Sequence, residues 1–249
     1  MESAEDSAYP AQLVAWILNT PEESPAVSGE RPATGSGELA SFRAPGLVVC
    51  PADDLPLCAA ISAGCPAVTL LGLSPSALEK AAAAIPGARA QLGAWERTGL
   101  PGDSVSILIL SEAALLKLDL VRLSAEFRRI LRPEGAVVVL SEQLDGEGWA
   151  ATVRELLEPH GREAPLFPPS ELEPAGECSV TVSQRGSLPV LLDFARRSGG
   201  YLLAGAAARR ELLTRVQALH EYGSLAGAEE FSMTTRIRAR LWRVPRPVQ

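Results

Sequence analysis

Short apolar segments alternate with stretches of helical periodicity through the middle of this chain. The apolar segments are residues 47–50, 67–73, 88–94, 104–110 and 136–143. The stretches between them, such as residues 120–131, place apolar side chains at helical spacing. A β-α alternation with short connections favours a parallel sheet with helices on both faces. We therefore predict an α/β fold with a doubly wound, mostly parallel sheet.

The C-terminal part departs from this alternation. Residues 178–184 are a strand candidate, and residues 189–223 predict two helices that are broken near Ser198. Residues 231–245 alternate apolar side chains with arginines, which is typical of a half-exposed antiparallel strand. The arginines are Arg236, Arg238 and Arg240. We expect them to lie on a solvated face of the sheet; a binding site for a substrate anion is the alternative.

The N-terminal part has a different composition from the rest of the chain. Residues 9–19 have apolar side chains at helical spacing and predict a short helix. Residues 20–45 are rich in Pro, Gly, Ser and Glu without periodicity, which predicts a loop or flexible linker. We expect an N-terminal helix and linker over residues 1–45, and one folded domain over residues 46–249.

Charge and composition exclude several classes of function. The formal net charge is −7, and an acidic surface repels the phosphates of nucleic acids. No apolar run reaches the roughly 20 residues that span a bilayer, and the acidic N-terminus lacks the pattern of a secretory signal. We expect a cytoplasmic protein without a nucleic-acid partner. The four cysteines form no Cys-X-X-Cys pair, so we expect no metal site.

Two motifs resemble those of a known family. Residues 101–105 (Pro-Gly-Asp-Ser-Val) precede the fourth apolar segment, and residues 129–135 (Arg-Ile-Leu-Arg-Pro-Glu-Gly) precede the fifth. Both are similar to motifs at the same places in class I S-adenosylmethionine-dependent methyltransferases of the small-molecule type. The resemblance extends over about residues 40–249. It implies a Rossmann-like methyltransferase fold with a C-terminal antiparallel strand, and S-adenosylmethionine as the cofactor.

The positions that hold the cofactor in that family carry other residues here. The family's Gly-rich turn after the first strand corresponds to Cys50, Pro51, Ala52 and Asp53, with no glycine. Proline fixes φ and removes an N–H, whereas the family's glycines let the backbone approach the cofactor. The ribose-binding acid corresponds to Gly72.

The adenine-binding Gly-Asp pair corresponds to Gly93 and Ala94, followed by Trp95. Where many relatives carry two histidines, residues 115–117 are Leu-Leu-Lys. The resemblance therefore implies a degenerate cofactor site, with S-adenosylmethionine binding lost. We expect larger side chains to occupy the vacated space: Pro51, Leu55, Leu73 and Trp95.

Several side chains near the predicted strand ends are candidates for catalysis or ligand binding. Asp53 and Asp54 are candidate bases or cation ligands, with N-capping of the next helix as the alternative. Cys50 is a candidate nucleophile, or a buried thiol. Glu112 is a candidate general acid or base, or caps a helix N-terminus.

Trp95 and the two histidines are the remaining candidates for catalysis or ligand binding. Trp95 could stack on a planar ligand or pack under a loop, and Glu96 beside it is expected in solvent. His160 and His220 are the only histidines of the chain, and His220 is the weak candidate for a catalytic base.

Three functions remain open. The chain could be a pseudoenzyme that serves as a partner or scaffold subunit without a cofactor. It could be an active or divergent methyltransferase for a small molecule. It could also be an enzyme that catalyses a cofactor-independent cyclisation or isomerisation on the same fold, which requires a cavity with convergent polar groups. Whether it is an enzyme is not decided by the sequence.

Overall fold

A computed structural model describes residues 9–18, 46–158, 172–223, 225 and 228–244. The predicted linker (residues 20–45) and the candidate His160 lie outside these residues. The elements, in chain order, are α1 (Ala11–Leu18), β1 (Leu47–Pro51), α2 (Leu55–Gly64), β2 (Val68–Gly72), α3 (Pro75–Ala84), β3 (Arg89–Leu92), β4 (Val105–Ser111), α4 (Glu112–Leu115), α5 (Leu120–Ile130), β5 (Leu131–Leu144), α6 (Trp149–Leu157), β6 (Glu173–Gly186), α7 (Leu188–Arg197), α8 (Gly199–Leu203), α9 (Ala206–Tyr222) and β7 (Phe231–Arg243).

The described strands form one sheet in the order β3-β2-β1-β4-β5-β7-β6. Strands β1 to β5 are parallel, β7 is antiparallel to β5, and β6 is antiparallel to β7. The predicted Rossmann-like methyltransferase fold, with a mostly parallel sheet and an antiparallel C-terminal strand, is confirmed. The carboxyl edge of the sheet, where β1 to β5 end, is the edge at which such folds bind ligands.

Side chains of alternate strand residues form the core on both faces of the sheet. On one face, Val48, Leu70 and Ile109 pack with α1, α2 and α3. On the other face, Val49, Leu71 and Leu108 pack with α4 and α5. Burial on both faces explains why β1, β2 and β4 are apolar at nearly every position. None of the described helices has the length and apolar character that a membrane crossing needs.

The two motifs that carry the family resemblance bond to each other. The Asp103 N–H donates to the Arg129 carbonyl at 3.1 Å, and the Ser104 N–H donates to the Ile130 carbonyl at 2.9 Å. Asp103 and Glu134 both have positive φ, of 51° and 66°. A Cβ on Gly135 would lie 2.8 Å from the Arg132 carbonyl oxygen, so the turn requires glycine there. These motifs therefore build the edge at which β4 and β5 begin, opposite the carboxyl edge.

A buried carboxylate ties the connection before β4 to α5. Glu126 accepts the Thr98 N–H at 2.8 Å and the Thr98 hydroxyl at 2.6 Å. The Arg129 guanidinium donates twice to Glu126, at 2.8 and 2.7 Å, and also to the Leu100 carbonyl at 2.8 Å. The hydrogen bonds from Arg129, with those from Thr98, lower the pKa of Glu126 to about 2 although burial opposes the shift.

We predict that Glu126→Gln lowers the free energy of unfolding at neutral pH by about 2–3 kcal/mol, because a depressed folded-state pKa is stabilising while the group is charged. That contribution is complete above the ordinary carboxyl pKa of 4.5 and is lost as the pH falls towards 2. Urea denaturation between about pH 7 and about pH 3 measures the difference between wild type and variant. Glu79→Gln on the exposed face of α3 is the control. A difference that stays constant with pH would contradict the assignment.

Candidate functional site

A cavity of about 420 Å³ opens at the carboxyl edge of the sheet. Its floor is formed by residues at the ends of β1, β4 and β5, and its walls come from Tyr9, α4, α6, α7 and α8. Trp95, from the connection between β3 and β4, also lines it, but no residue of β2 or β3 does. The cavity therefore covers only the central strands of the edge.

Four polar side chains of the cavity form a cluster of Tyr9, Asp54, Glu142 and Arg197, called here the Tyr9 cluster. The Tyr9 hydroxyl lies 2.8 Å from Asp54 Oδ2 and hydrogen-bonds to Glu142 Oε1. Arg197 Nη1 lies 3.5 Å from Glu142 Oε2. Tyr9 precedes α1, Asp54 follows β1, Glu142 is near the end of β5 and Arg197 ends α7. Four segments that are distant in sequence thus meet at one point.

The Tyr9 cluster contains more acceptors than hydroxyl protons. One phenol proton is donated to one carboxylate at a time, so a second hydrogen bond at the same oxygen forms when the other carboxyl carries a proton. Burial raises the pKa of Glu142 above its usual range, although Arg197 and Tyr9 oppose the shift. Burial, with the nearby Glu142 and Asp54 carboxylates, also raises the pKa of Tyr9. Burial therefore favours the protonated form of the Glu142 carboxyl.

Asp54 has a second, local role. Its Oδ1 accepts the Leu57 N–H at 3.1 Å and so caps the N-terminus of α2. Asp53 next to it is exposed, lines the cavity and makes no hydrogen bond among the described residues. Of the two predicted carboxylates, the structure thus brings Asp54 into the cluster and leaves Asp53 at the cavity mouth.

Glu112 lines the cavity at the start of α4 and forms an ion pair with Arg240 of β7. The Arg240 guanidinium also lies 5.9 Å from the centre of the Trp242 ring. The neighbouring arginines of β7 are paired as well, Arg236 with Asp145 at 3.0 Å and Arg238 with Glu177 at 3.3 Å. Each of these three arginines is therefore balanced by a carboxylate, in keeping with a solvated face.

The turn after β1 is closed without glycine. The Ala52 N–H donates to the Leu71 carbonyl at 2.9 Å, and the Asp54 N–H donates to the Pro51 carbonyl at 3.2 Å. A Cβ on Gly72, at the end of β2, would lie 3.2 Å from the Ala52 Cβ. The backbone of this turn is therefore packed against the neighbouring strand end.

The side chains expected to fill the cofactor space divide into two groups. Pro51 and Trp95 line the cavity, and the Trp95 ring packs edge-on against Phe127 at 6.5 Å between centres. Leu55 and Leu73 do not fill it, because they are 36% and 75% exposed. The expectation that Leu55 and Leu73 occupy the space is wrong, since both side chains are exposed at the surface.

The segment after β3 folds back on itself. Ala94 pairs with Arg97 in a short antiparallel bridge around Trp95 and Glu96, and Glu96 accepts the Asp119 N–H at 3.2 Å. A Cβ on Gly93 would lie 2.6 Å from the Thr98 carbonyl oxygen. This glycine therefore allows the close return of the chain, and its presence has a structural reason.

Two further candidates lie outside the cavity. Cys50 is completely buried in β1. A hydrogen bond with Cys58, together with burial, raises the pKa of the Cys50 thiol, which disfavours the thiolate that a nucleophile needs. His220 is on α9, and its ring centre lies 6.0 Å from that of Phe231. Neither residue lines the cavity.

Sequence reasoning did not single out Tyr9, Glu142 or Arg197. Glu142 had a readable signal, because Ser141, Glu142 and Gln143 are polar residues that end an apolar strand at the ligand-binding edge. Tyr9 and Arg197 had none, since nothing local shows that residues before α1 and at the end of α7 meet β5. Groups of His, Cys, Asp and Glu that could hold a metal ion are absent from the described residues.

We predict that Asp54→Ala lowers the free energy of unfolding by about 1–2 kcal/mol, because α2 loses its cap and Tyr9 loses an acceptor. Asp53→Ala is the matched control, one residue away and exposed, and should change stability by less than about 0.5 kcal/mol. Urea denaturation of both variants is the measurement. Equal stabilities would show that the contacts of Asp54 contribute nothing.

Comparison with known proteins places the fold. No protein-family model matches the sequence, and no curated protein matches it either. Among solved structures, a protein assigned as a type II methyltransferase from Anaeromyxobacter dehalogenans is 17% identical, with 96% of this chain and 98% of that chain covered and a TM-score of 0.63. A protein assigned as a methyltransferase from Bacillus halodurans is 12% identical, with 81% and 93% covered and a TM-score of 0.49. The strand order and the first of these likenesses together show that the chain has the fold of the class I methyltransferases.

Proposed function

We propose that this chain is a methyltransferase-like protein that does not hold S-adenosylmethionine in the manner of the class I enzymes, and that its cavity binds another small molecule. The observation that carries the proposal is the position of the cavity. It is built on β1, β4 and β5, and it does not reach β2 or β3, where the resemblance places the ribose and adenine. A cofactor held in the family's way would lie partly outside it.

The geometry around β1 and β2 supports the loss of cofactor binding. The turn after β1 contains proline and alanine where the family has glycines, and the Ala52 N–H is already bonded to Leu71. The strand that should end in a ribose-binding acid ends in Gly72, followed by the exposed Leu73. A lost hydrogen-bond partner in a site built around it costs about 1–3 kcal/mol, so these losses together weaken binding by orders of magnitude.

Charge at the same turn acts in the same direction. Asp53 and Asp54 stand where the family binds the cofactor's carboxylate. Like charges about 4 Å apart in a partly buried site repel by a few kcal/mol. The residues present therefore do not fit S-adenosylmethionine in the family's orientation.

The cavity itself favours a binding or catalytic role for a different molecule. Its volume of about 420 Å³ lies within the usual range of small-molecule sites. Apolar walls from Trp95, Leu140 and Phe194 surround the polar Tyr9 cluster. A shared proton between a phenol and two carboxyls, next to an arginine, is suited to proton transfer. This supports the cofactor-independent isomerisation or cyclisation, with Glu142 and Tyr9 as the groups that move the proton.

A scaffold or partner role is the second candidate, and one observation favours it. Leu73 and Leu92 are 75% and 57% exposed, and they lie at the ends of the adjacent strands β2 and β3. Exposed apolar side chains at the edge where the family places the adenosine offer a surface that a partner protein could cover. The pseudoenzyme hypothesis stays a prediction on this basis.

Titration with the cofactor tests whether S-adenosylmethionine binding is lost. Isothermal titration with S-adenosylmethionine and with S-adenosylhomocysteine, at up to about millimolar ligand, should give no binding, because three recognition features are replaced at once. A methyltransferase that keeps the Gly-rich turn is the positive control. Micromolar affinity for either ligand would overturn the proposal and favour a divergent, active methyltransferase.

A thermal-shift screen tests whether the cavity binds a small molecule. In a thermal-shift screen of small metabolites, a ligand at about 100 times its Kd should raise the Tm by roughly 5 °C or more, since binding to the folded state adds about 2.7 kcal/mol. Ala114→Trp, which places an indole in the cavity, should abolish the shift. Ala207→Trp on the exposed part of α9 is the matched control and should keep it. A shift that survives Ala114→Trp would place the ligand elsewhere.

A further inference from the structure

The Tyr9 cluster joins the N-terminal helix to the cavity through one hydroxyl. Helix α1 packs on the sheet by apolar side chains, with Leu13 and Ile17 completely buried and Trp16 beside Gly176 of β6. Tyr9, two residues before α1, is 3% exposed and lines the cavity. The Tyr9 hydroxyl makes hydrogen bonds to Asp54 and to Glu142, and these bonds connect this segment to the cavity.

The strength of this link depends on one proton. With a proton on Glu142, the carboxyl donates to the Tyr9 oxygen and the Tyr9 hydroxyl donates to Asp54, so every bond is made. Without that proton, two carboxylates compete for one hydroxyl and repel each other. The ionised Glu142 then also has another partner, because Arg197 Nη1 lies 3.5 Å away.

We propose that Tyr9 covers one side of the cavity and anchors helix α1, which packs on the face of the sheet, and that a proton on Glu142 holds this cover in place. In the closed state Glu142 and Asp54 both bond to Tyr9. In the open state Glu142 is ionised and paired with Arg197, and Tyr9 keeps at most one of its two bonds. The charged and titratable groups that act on Glu142 are Tyr9 on the cover, Asp54 after β1 and Arg197 on α7, with Asp193 acting on Arg197.

The direction of the pH dependence follows from the cause of the shift. Burial raises the pKa of Glu142 in the folded protein above its ordinary value of 4.5. The stabilisation of the cover is therefore complete at low pH and is lost as the pH rises through the raised pKa. The Tyr9 hydroxyl remains protonated over this range, because burial raises its pKa well above 10.0.

Hydrogen exchange of the amides of α1 tests the proposal on the free protein. The Leu13 and Val14 N–H groups, which donate to the Pro10 carbonyl at 3.0 and 3.2 Å, report on the opening of this segment. After correction for intrinsic exchange rates, their protection in wild type should fall about tenfold between about pH 5 and about pH 8, the equivalent of one net hydrogen bond. The amides of α5 in the same molecule are the internal reference and should not change.

Two nearly isosteric variants distinguish the effect of the Glu142 proton from the effect of packing by the Tyr9 ring. Glu142→Gln has a neutral donor at every pH, so its α1 protection should stay high and independent of pH. Tyr9→Phe keeps the ring without the hydroxyl, so its protection should be low and also independent of pH. A wild-type protection that does not vary with pH, or a Glu142→Gln protein that varies like wild type, would overturn the proposal. Since no ligand is present, a negative ligand screen does not affect this test.

Discussion

The hydrogen bonds between the turn before β4 and the end of α5 fix the part of the sheet on which the site is built. The Asp103 and Ser104 amides hold the Arg129 and Ile130 carbonyls, and so β4 and β5 start side by side. Because β4 and β5 are parallel, their carboxyl ends lie at the same edge, where Ser111 pairs with Leu140, two residues before Glu142. The buried Glu126 carboxylate reinforces this arrangement, because Arg129 bonds to it and to the connection before β4 at once.

The motifs of the fold and the motifs of the cofactor lie at opposite edges of the sheet. The residues that resemble the methyltransferases most closely close the edge where β4 and β5 begin, and their role is backbone geometry. The residues that depart from the family lie where β1, β2 and β3 end. The contacts that fix the packing and topology are therefore separate from the residues that the resemblance relates to cofactor binding.

The N-terminal segment supplies Tyr9, which completes the polar cluster of the cavity. Tyr9 brings a phenol against two carboxylates that the sheet alone would leave facing each other, and Arg197 balances part of their charge. Burial of these groups raises the pKa of Glu142 and so favours its protonated form, although Arg197 opposes the shift. Tyr9 thereby connects the cavity to the segment that precedes α1.

The sequence by itself determined the fold class, the parallel core and the antiparallel C-terminal strand, because those depend on periodicity and on local turns such as residues 129–135. It also located Asp54, Glu112 and Trp95 near the ligand edge, since residues that follow parallel strands must lie there. The Tyr9 cluster was decided only by tertiary structure: Tyr9 and Glu142 are 133 residues apart, and no local pattern relates them. The exposure of Leu73 and the pairing of Glu112 with Arg240 were decided in the same way, because each depends on which distant segment packs beside the strand end.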